Sequence, residues 1–447
     1  TYLYVVDRKR ERTTLRVERP EGWDIAVGLE GKPGEYVAPD YDTLADNPVT
    51  IGKFVRVDYV AAGRPHTLAM FGAARNEIDK DTIRKACEFV STSQAEFFGG
   101  LPFGRYVWHF TVTPGKDGAG GLEHLSSTEM SIAKGVGPGV RAVLAHEFFH
   151  LWNVKRIRSR PLGPFDYGRL PETGALWWME GVTDYYADMI PRRWGGTDDA
   201  ELAKAIAGNL RTIRSNPALA EVSPYDSSYR VGDANEGRGN SNGYKISYYN
   251  LGWLVGLVLD AELLERTNGR RSLDDVTRAL YAMTGNGRPG FEEPEIRRQL
   301  VRFGGAGMGE VYDRVVLRPN PIPVEAALAK FGWTVTPTVE PGPPSTGVLL
   351  RRTDDGRNVV TADSPVAGGL RPGDEIVDVN GQPDVTPLRR PEGEGPLKVR
   401  VKRGAETLTV DVPVKRTERT SFRVAPDPKA TDAQKKLASI WLSKRKK

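Results

Sequence analysis

Short runs of β-branched and aromatic residues, separated by polar or glycine-containing segments, occupy the first part of the chain. The runs lie at 2–6, 13–17, 23–27 and 54–60. Antiparallel strands alternate with turns in this way, because each strand is followed by a reversal of the chain. The pattern predicts an N-terminal antiparallel β module over residues 1–75.

The spacing of apolar residues becomes helical from position 76 to position 98, where they recur mostly at three- and four-residue intervals. A strand is predicted next at 106–113. It is followed by a glycine-rich turn at 115–121 and by a further strand at 122–132. The first helix of the chain is therefore predicted between two β-rich segments.

Helical spacing dominates the middle of the chain, so residues 76–330 are predicted to form a mostly helical domain. A polar loop at 216–246 interrupts it, and loops of this length inside a domain are usually functional or disordered. The predicted helices lie at 137–155, 174–190, 198–214, 247–266, 272–284 and 292–303.

A second set of short β-rich runs follows two proline-containing segments at 319–323 and 337–344. These runs predict a small β domain over residues 331–415. Residues 416–447 are predicted to be a basic tail, helical from about Thr431, where Thr431 and Asp432 are suitable capping residues. The β-rich runs lie at 348–352, 358–361, 375–379, 397–402 and 407–412.

Composition narrows the protein class. The chain has 447 residues, of which 39% are hydrophobic and 27% charged, as expected for a globular protein of several domains. The single cysteine, Cys87, excludes an intrachain disulfide and a cysteine-rich metal site. No apolar run approaches the ~18 residues that span a bilayer. The excess of 63 basic over 58 acidic residues is small and lies mostly at the ends, so it does not indicate a nucleic-acid partner.

The strongest chemical signal is the pentapeptide His146-Glu147-Phe148-Phe149-His150. On a helix, positions 146 and 150 share one face, so both imidazoles can bind a single metal ion. Glu147 can then point toward the open coordination position. The alternative is a pair of histidines satisfied by local hydrogen bonds on a core helix.

A third metal ligand is predicted in the apolar run Trp177-Trp178-Met179-Glu180-Gly181. An acid in such surroundings is costly unless it is paired or bound to metal, which favours Glu180 as a zinc ligand. Asp184 lies one helical turn later and can accept the second ring N–H of a ligand histidine. The alternative is a solvated acid at the start of a helix.

These features resemble the gluzincins, the thermolysin-like metallopeptidases whose third zinc ligand is a glutamate. Two further segments resemble the leucyl and alanyl aminopeptidases of that group. Gly120-Gly121-Leu122-Glu123-His124 is similar to their Gly-x-Met-Glu-Asn strand, which implies that Glu123 binds the free amino group of the substrate. Tyr249-Asn250-Leu251-Gly252 is similar to their Tyr-x-x-Gly segment, which implies that Tyr249 stabilises the oxyanion.

The connection from His150 to Glu180 is longer than in those aminopeptidases. With its Trp152-Asn153-Val154-Lys155-Arg156 segment, it resembles the bacterial glycyl aminopeptidase family, which also contains a segment like residues 41–49. The resemblance covers nearly the whole chain. The N-terminal module is shorter than the family's, which raises the question of a missing segment.

The same family carries a PDZ domain after its catalytic domain, and residues 362–381 resemble one. The Ser364-Pro365-x-Ala, Gly-Leu-x-Pro-Gly-Asp and Val-Asn-Gly elements are similar to PDZ domains of envelope proteases. Asn380-Gly381 suits a type I′ hairpin turn. The resemblance implies that a peptide C-terminus could bind near residues 346–349, whereas the alternative is a PDZ domain that only packs against the catalytic domain.

Other residues leave alternatives open. Tyr244 and Tyr248 compete with Tyr249 for the oxyanion role. His66 and His109 have no metal-spaced partners in the sequence and are interpreted as structural. Arg156 could bind a substrate carboxylate or tie down the loop after the metal helix.

The sequence therefore predicts an α+β multidomain zinc aminopeptidase that binds one Zn²⁺ through His146, His150 and Glu180. It is expected to act on peptides with a free N-terminus, with a preference for glycine or alanine that rests on the resemblance alone. An endopeptidase of the same clan and a non-catalytic PDZ-type peptide-binding protein are the alternatives. Lack of disulfides permits a cytoplasmic location, whereas an envelope-type PDZ domain favours the periplasm or secretion.

Overall fold

The computed structural model describes residues 2–115, 118–229, 246–285, 289–353, 355–361 and 368–444. It divides into two compact units. Unit 1 comprises Thr1–Val335 with Val424–Lys447, and unit 2 comprises Thr336–Arg423. Tyr244, most of the predicted polar loop and the Ser364-Pro365 motif lie outside the described residues.

Unit 1 begins with a small β module. Its core contains Ile25, Val27, Tyr36 and Leu44, all buried. One sheet has the strand order β1-β4-β3, and β2 pairs with β5. The elements are β1 (Thr13–Arg16), β2 (Asp24–Val27), β3 (Glu30–Lys32), β4 (Glu35–Ala38), α1 (Tyr41–Ala45) and β5 (Val49–Gly52).

The strand predicted at 2–6 is wrong, because these residues form no strand and positions 3–6 are exposed. Apolar character alone does not make a strand, since the backbone groups also need a neighbouring edge to pair with. The runs predicted at 13–17 and 23–27 do pair with partners, and they form β1 and β2.

A mixed five-stranded sheet follows, with the order β6-β7-β8-β10-β9. β8 pairs in parallel with β7 and with β10, whereas β9 is an edge strand antiparallel to β10. The sheet continues across residue 75, where the sequence predicts a module boundary, because β7 pairs with β8. The strands are β6 (Val55–Ala61), β7 (Arg64–Phe71), β8 (Tyr106–Thr113), β9 (Ala119–Glu123) and β10 (Ser127–Ala133).

The single strand predicted at 122–132 is wrong. The chain reverses between Glu123 and Ser127, so β9 and β10 form a hairpin. The turn is fixed from outside the hairpin, because the backbone N–H of Leu125 donates to the carboxylate of Asp46 at 2.8 Å. This reversal places β9 at the edge of the sheet.

The helix α2 (Lys80–Phe98) connects β7 to β8. Asp79 caps its N-terminus by accepting hydrogen bonds from the backbone of Asp81 and Thr82, and Gly99 ends it with φ of +85°. The apolar spacing predicted for this segment brings Ile83, Cys87 and Val90 into the core.

Helices form most of the remainder of unit 1. The helices predicted at 198–214, 247–266 and 272–284 match the structure to within one residue at each end. The elements are α3 (Pro138–Phe149), a 3-10 turn (Arg160–Leu162), a π-helical turn (Trp177–Val182), α4 (Thr183–Trp194), α5 (Asp199–Arg214), a 3-10 turn (Pro217–Ala220), α6 (Pro224–Tyr229), α7 (Tyr248–Arg266), α8 (Leu273–Thr284), α9 (Pro294–Gly304), α10 (Gly307–Val315) and α11 (Val324–Lys330).

Two of the predicted helices differ from the structure. The helix predicted at 137–155 ends at Phe149 with His150 as its C-cap, because the chain then turns back on itself. The helix predicted at 174–190 begins as the π-helical turn and continues as α4. Among the described helices, none is both long and apolar enough to cross a bilayer.

Unit 2 contains an antiparallel sheet with the order β12-β13-β14-β15-β16, packed around Val360, Leu370, Leu388 and Val399. Asn380 and Gly381 have φ of 52° and 80°, as a type I′ turn requires. Strands β11 (Trp333–Ser345) and β17 (Lys415–Pro426) pair separately. The other elements are β12 (Leu350–Arg352), β13 (Asn358–Val360), β14 (Glu375–Val379), α12 (Thr386–Arg389), β15 (Leu397–Arg403) and β16 (Glu406–Val412).

Over its described length, the predicted basic tail forms most of strand β17 and one helix. The helix α13 (Asp432–Trp441) begins with a capping box between Thr431 and Gln434, as its sequence indicates. Trp441 is fully buried, stacks on Phe331 at 4.3 Å and donates to the hydroxyl of Tyr185 at 3.0 Å. The tail thus returns to the helical core of unit 1.

The buried His66 makes the stability of unit 1 dependent on pH. Burial lowers the pKa of His66 to about 4, and within the described residues neither ring nitrogen has a hydrogen-bond partner. Between about pH 6.5 and 4 the unfolded chain therefore binds one more proton at this residue, so acidification destabilises the fold.

We expect His66→Phe to remove this contribution. As the pH is lowered over this range, the free energy of unfolding, measured by urea titration, should fall more steeply in the wild type than in His66→Phe. The difference in slope should be about 1.4 kcal/mol per pH unit. His109, whose pKa burial lowers to about 3, is present in both proteins and cancels in the difference. Equal slopes in the two proteins would contradict the prediction.

Candidate active site

His146 and His150 lie at the end of α3 with their Nε2 atoms 2.8 Å apart. Nδ1 of His146 is 2.7 Å from Oδ1 of Asp184, and Nδ1 of His150 is 2.7 Å from the backbone oxygen of Asn153. These oxygens accept, so each Nδ1 carries a proton and both Nε2 atoms point to the same place. Burial alone would lower the pKa of both rings, but Asp184 and Glu180 raise the pKa of His146, and Glu180 raises that of His150. Two Nε2 atoms 2.8 Å apart therefore need a proton or a cation between them.

Glu180 completes the cluster. Its Oε2 lies 3.3 Å from Nε2 of His146 and 3.2 Å from Nε2 of His150. Burial alone would raise the pKa of Glu180, but the two histidines hold it well below its usual range. Two imidazoles and one carboxylate, with all donor atoms within 4.8 Å of one another, are the donor set of a catalytic zinc site. The residues therefore fit the metal that the sequence predicts.

The π-helical turn that carries Glu180 is held by Asn153. The Asn153 side-chain amide donates to the backbone oxygen of Trp178 and to the hydroxyl of Thr183, both at 2.9 Å. Its own backbone oxygen accepts from His150. One buried asparagine thus fixes a histidine and the glutamate turn together, a role that the sequence does not indicate.

A glycine pair brings the glutamate turn against α7. An added Cβ on Gly252 would overlap the backbone oxygen of Trp177, and one on Gly181 would lie 2.5 Å from Cα of Gly252. The close approach explains the glycine of the Tyr-x-x-Gly segment. It places the ring of Tyr249 6.0 Å from the ring of His146, centroid to centroid.

Tyr249 is a hydrogen-bond donor at neutral pH, because burial and then the nearby Glu180 raise the pKa of its hydroxyl far above the usual range. Its ring lines the cavity at the metal cluster. The ring of Tyr248 stacks on that of Tyr249 at 4.9 Å and is buried. Of the described tyrosines, Tyr249 is the one that borders this cavity.

Glu147 faces a cavity of about 390 Å³ that Gly120, Gly121, His146 and Tyr249 also line. Burial raises the pKa of its carboxyl. Strand β9 crosses directly over Glu147, and a Cβ on Gly121 would overlap its side chain. Glycine at position 121 is therefore a steric requirement of the cleft.

Glu123 is the last residue of β9 and lies close to Glu147. The carboxylates of Glu123 and Glu147 and a ring nitrogen of His150 lie within 4.8 Å of one another. The structure thus brings together all the predicted site residues: His146, Glu147, His150, Glu180, Asp184, Glu123 and Tyr249.

Asp46 and Lys155 extend this group, although sequence reasoning gave them no chemical role. Lys155 Nζ lies 2.9 Å from Asp46 Oδ1 and 3.9 Å from Glu123 Oε1. Burial alone would lower the pKa of Lys155, but these two carboxylates raise it overall. Asp46 also lies 3.2 Å from Nδ1 of His124. A glutamate-lysine-aspartate chain therefore joins the N-terminal module to the cleft.

The loop that carries Lys155 is strained. Val154 has φ of +114°, which costs a β-branched residue about 1–3 kcal/mol. Arg156 donates to the backbone oxygens of Leu151 at 2.6 Å and Pro102 at 2.9 Å. Of the two roles considered for Arg156, the contacts correspond to tying down the loop.

Comparison with known families agrees with this geometry. The family model described as M61 glycyl aminopeptidase matches residues 139–255, and the model of the peptidase M61 N-terminal domain matches residues 1–53. Both models describe domains of M61 peptidases, so the predicted resemblance to the glycyl aminopeptidase family is confirmed. The chain is a metallo-aminopeptidase.

One solved structure has the same fold over nearly the whole chain. An aminopeptidase N family protein from Idiomarina loihiensis matches with a TM-score of 0.79 and 20% identity, covering 98% of this chain and 80% of that chain. An M1 zinc metallopeptidase from Deinococcus radiodurans matches with a TM-score of 0.43 and 15% identity, covering 70% of this chain and 64% of that chain. No curated protein matches the chain.

The crossing of β9 over Glu147 predicts different effects for substitutions at two glycines. Gly121→Ala should lower kcat/KM about a hundredfold, because its Cβ displaces Glu147. Gly208→Ala on α5 is the matched control, since no described atom lies within 4 Å of its added Cβ and Gly208 does not line the cavity, and it should stay within about twofold of wild type.

Hydrolysis of an alanyl 4-nitroanilide by both variants measures the difference, and thermal melting establishes that both are folded. An equal loss of kcat/KM in the two folded variants would show that the contact between position 121 and Glu147 does not explain the effect.

Proposed function

We propose that the chain is a zinc aminopeptidase that removes small N-terminal residues, glycine or alanine, from peptides with a free amino group. The observation that carries the proposal is the position of Glu123. Its carboxylate ends an edge strand and lies within 4.8 Å of the ligand atoms of Glu147 and His150. A negative charge is thus fixed beside the hydrolytic groups, where the first residue of a substrate would place its ammonium. The preference for glycine rests on the description of the matching family model, and that for alanine rests on the family resemblance alone.

His146, His150 and Glu180 would hold one Zn²⁺. When bound there, zinc supplies the Lewis acidity that activates water near neutral pH. Asp184 and the backbone oxygen of Asn153 orient the two imidazoles, since each accepts a hydrogen bond from an Nδ1 at an N–O distance of 2.7 Å.

The remaining groups bind and move protons. Glu147 takes the proton of the attacking water on its carboxylate and delivers it to the departing amine. The buried surroundings that raise its pKa suit both roles. Tyr249 keeps its proton and donates a hydrogen bond to the developing oxyanion.

Glu123 separates an aminopeptidase from an endopeptidase of the same clan. A free N-terminus supplies an ammonium that pairs with this carboxylate, whereas an acetylated or internal peptide leaves it half-buried with Lys155, 3.9 Å away, as a partial counter-ion. Lys155 does not satisfy Glu123 fully, because it lies closer to Asp46 and the three groups together keep one unmatched negative charge.

We expect Glu123→Gln to raise KM for a free tripeptide such as Ala-Leu-Gly by about tenfold or more, because a charged hydrogen bond to the ammonium is lost. The wild type should cleave this tripeptide and leave its N-acetyl form intact. Chromatography of the released products measures both the KM for the free tripeptide and the cleavage of its acetylated form.

Glu129→Gln is the matched control, since Glu129 is an exposed acid on the neighbouring strand β10. Both variants should keep one zinc per chain by elemental analysis, because no ligand is changed. Cleavage of the acetylated peptide, or an unchanged KM in Glu123→Gln, would favour the endopeptidase.

We also infer that unit 2 binds peptide C-termini in the manner of a PDZ domain. Strand β12 lies at the edge of its sheet and directly follows residues 346–349. Thr346 shapes this segment by donating to the backbone oxygen of Leu388 at 2.7 Å, and Gly347 has φ of +72°. An edge strand preceded by a tight loop is the arrangement that binds a chain end by strand addition.

A labelled, N-acetylated pentapeptide ending in valine should bind the full-length Glu147→Gln variant, and its C-terminal amide should bind about tenfold more weakly. Gly347→Ala should weaken binding of the carboxylate form. Gly404→Ala should not, although Gly404 has a similar φ of +62° at the turn between β15 and β16. Equal binding of acid and amide would reject a PDZ-type site.

A further inference from the structure

Three titratable side chains beside the cleft, those of Asp46, Lys155 and His124, take no part in the proposed hydrolysis. Asp46 and Lys155 form the closest pair, with Oδ1 2.9 Å from Nζ. Both side chains are largely buried, since that of Lys155 is 14% exposed and that of Asp46 is 25% exposed. Charges in such surroundings interact more strongly than charges in water, so this pair affects the other charged groups of the cleft.

The backbone of Lys155 is fixed at the end of the metal helix α3. Its N–H donates to the backbone oxygen of His150 at 3.0 Å, and the N–H of Val154 donates to the backbone oxygen of Ile157 at 2.9 Å. The loop therefore holds the lysine beside the cleft. The exact position of its ammonium group then depends on the carboxylates that the side chain meets.

Two carboxylates lie near this ammonium group. Asp46 is at hydrogen-bond distance from Nζ, whereas Oε1 of Glu123 is 3.9 Å away. Within the described residues, the carboxylate of Glu123 accepts no hydrogen bond. A movement of Nζ by about 1 Å would bring it to hydrogen-bond distance of Glu123. Lys155 can therefore pair with either acid, and in the structure it pairs with Asp46.

Asp46 is well placed to hold the lysine. It is the C-cap residue of α1 in the N-terminal module. Its Oδ2 accepts from the backbone N–H of Leu125 at 2.8 Å, and its Oδ1 lies 3.2 Å from Nδ1 of His124. Burial alone would raise the pKa of Asp46, but Lys155 and His124 lower it overall. A charged carboxylate is thus fixed on the side of Lys155 that faces away from the substrate site.

We propose that Lys155 is an internal competitor for the ammonium site at Glu123, and that Asp46 is a positioning residue that holds Lys155 away from this site. The inference rests on the proposed aminopeptidase function and adds to it the group that sets the strength of N-terminal recognition. While Asp46 holds the lysine, Glu123 keeps a charge that is available to the ammonium of the substrate. The N-terminal module thus acts on substrate binding through Lys155.

Loss of Asp46 would release the competitor. Lys155 would then pair with Glu123, and each substrate would have to displace it. Because the lysine belongs to the same chain, its effective concentration at Glu123 is high and independent of the substrate concentration. Binding of every peptide with a free amino group should weaken, whatever its side chains are.

The first test is Asp46→Asn in the full-length zinc enzyme, with Ala-Leu-Gly as the substrate. The amide oxygen of the asparagine can still accept from Leu125, but the charge that holds Lys155 is lost. We expect KM to rise about tenfold and kcat to stay within about twofold of the wild type, because the ammonium contact weakens equally in the ground state and in the transition state. Glu18→Gln is the matched control, since it removes the same charge from an exposed position of the N-terminal module and should change neither constant.

Variants that remove the competitor should have the opposite effect. The double variant Asp46→Asn/Lys155→Met should return KM to within about threefold of the wild type, which a merely structural role of Asp46 would not produce. Lys155→Met alone should lower KM about threefold, because Glu123 then has no internal partner. Asp46 keeps its contacts with Leu125 and His124 in this variant, so Lys155→Met decides the question if Asp46→Asn does not fold.

Thermal melting and elemental analysis establish that each variant is folded and holds zinc. An unchanged KM in Asp46→Asn, a double variant no better than the single one, or a raised KM in Lys155→Met would overturn the competitor proposal while leaving the aminopeptidase intact. If the wild type cleaves no free peptide, or cleaves the N-acetyl form equally well, the proposed function fails and the competitor proposal fails with it.

Discussion

Two imidazole Nε2 atoms held 2.8 Å apart are the constraint around which unit 1 is built. Neither ring can rotate away, because Asp184 and the backbone of Asn153 each hold an Nδ1 proton at 2.7 Å. Glu180 adds a buried carboxylate to the same point. The three donor groups converge on one point, so the folded chain presents a complete donor set, and binding of a cation there stabilises the fold. The glycine contact between the π-helical turn and α7 keeps the third ligand from relaxing outward.

Patterns within single segments explain which site residues and helices could be predicted from the sequence. The spacing of His146 and His150 needs only a helix to bring both rings to one face, and the apolar run around Glu180 identifies an acid that must be buried. The helices α5 and α8 were predictable to within a residue because each has apolar residues at helical spacing, and α7 was predictable as a long apolar run that is buried on all sides. The start of α13 was predictable because Thr431 is a suitable N-cap residue.

Contacts between distant segments were not predictable in the same way. The turn between β9 and β10 is fixed by Asp46, whose ion pair with Lys155 joins positions 109 residues apart. Neither residue belongs to a local pattern that indicates the other. The π-helical turn depends on Asn153 and on the fit of Gly181 against Gly252, which spacing alone does not reveal. The apolar run at 2–6 reads as a strand, and only the absence of a pairing edge among the described residues excludes it.

The pairing of Asp46 with Lys155 also limits how the cleft can admit its substrate. If the N-terminal segment moved away, the buried ammonium of Lys155 would lose Asp46, its nearest counter-ion. This loss has a high free-energy cost, so such a movement should be rare. That flank of the cleft therefore behaves as a fixed wall during turnover. Within the described residues β9 borders another side of the cavity, so we expect peptides to enter along β9 with little hinge movement of the amino-terminal β layer.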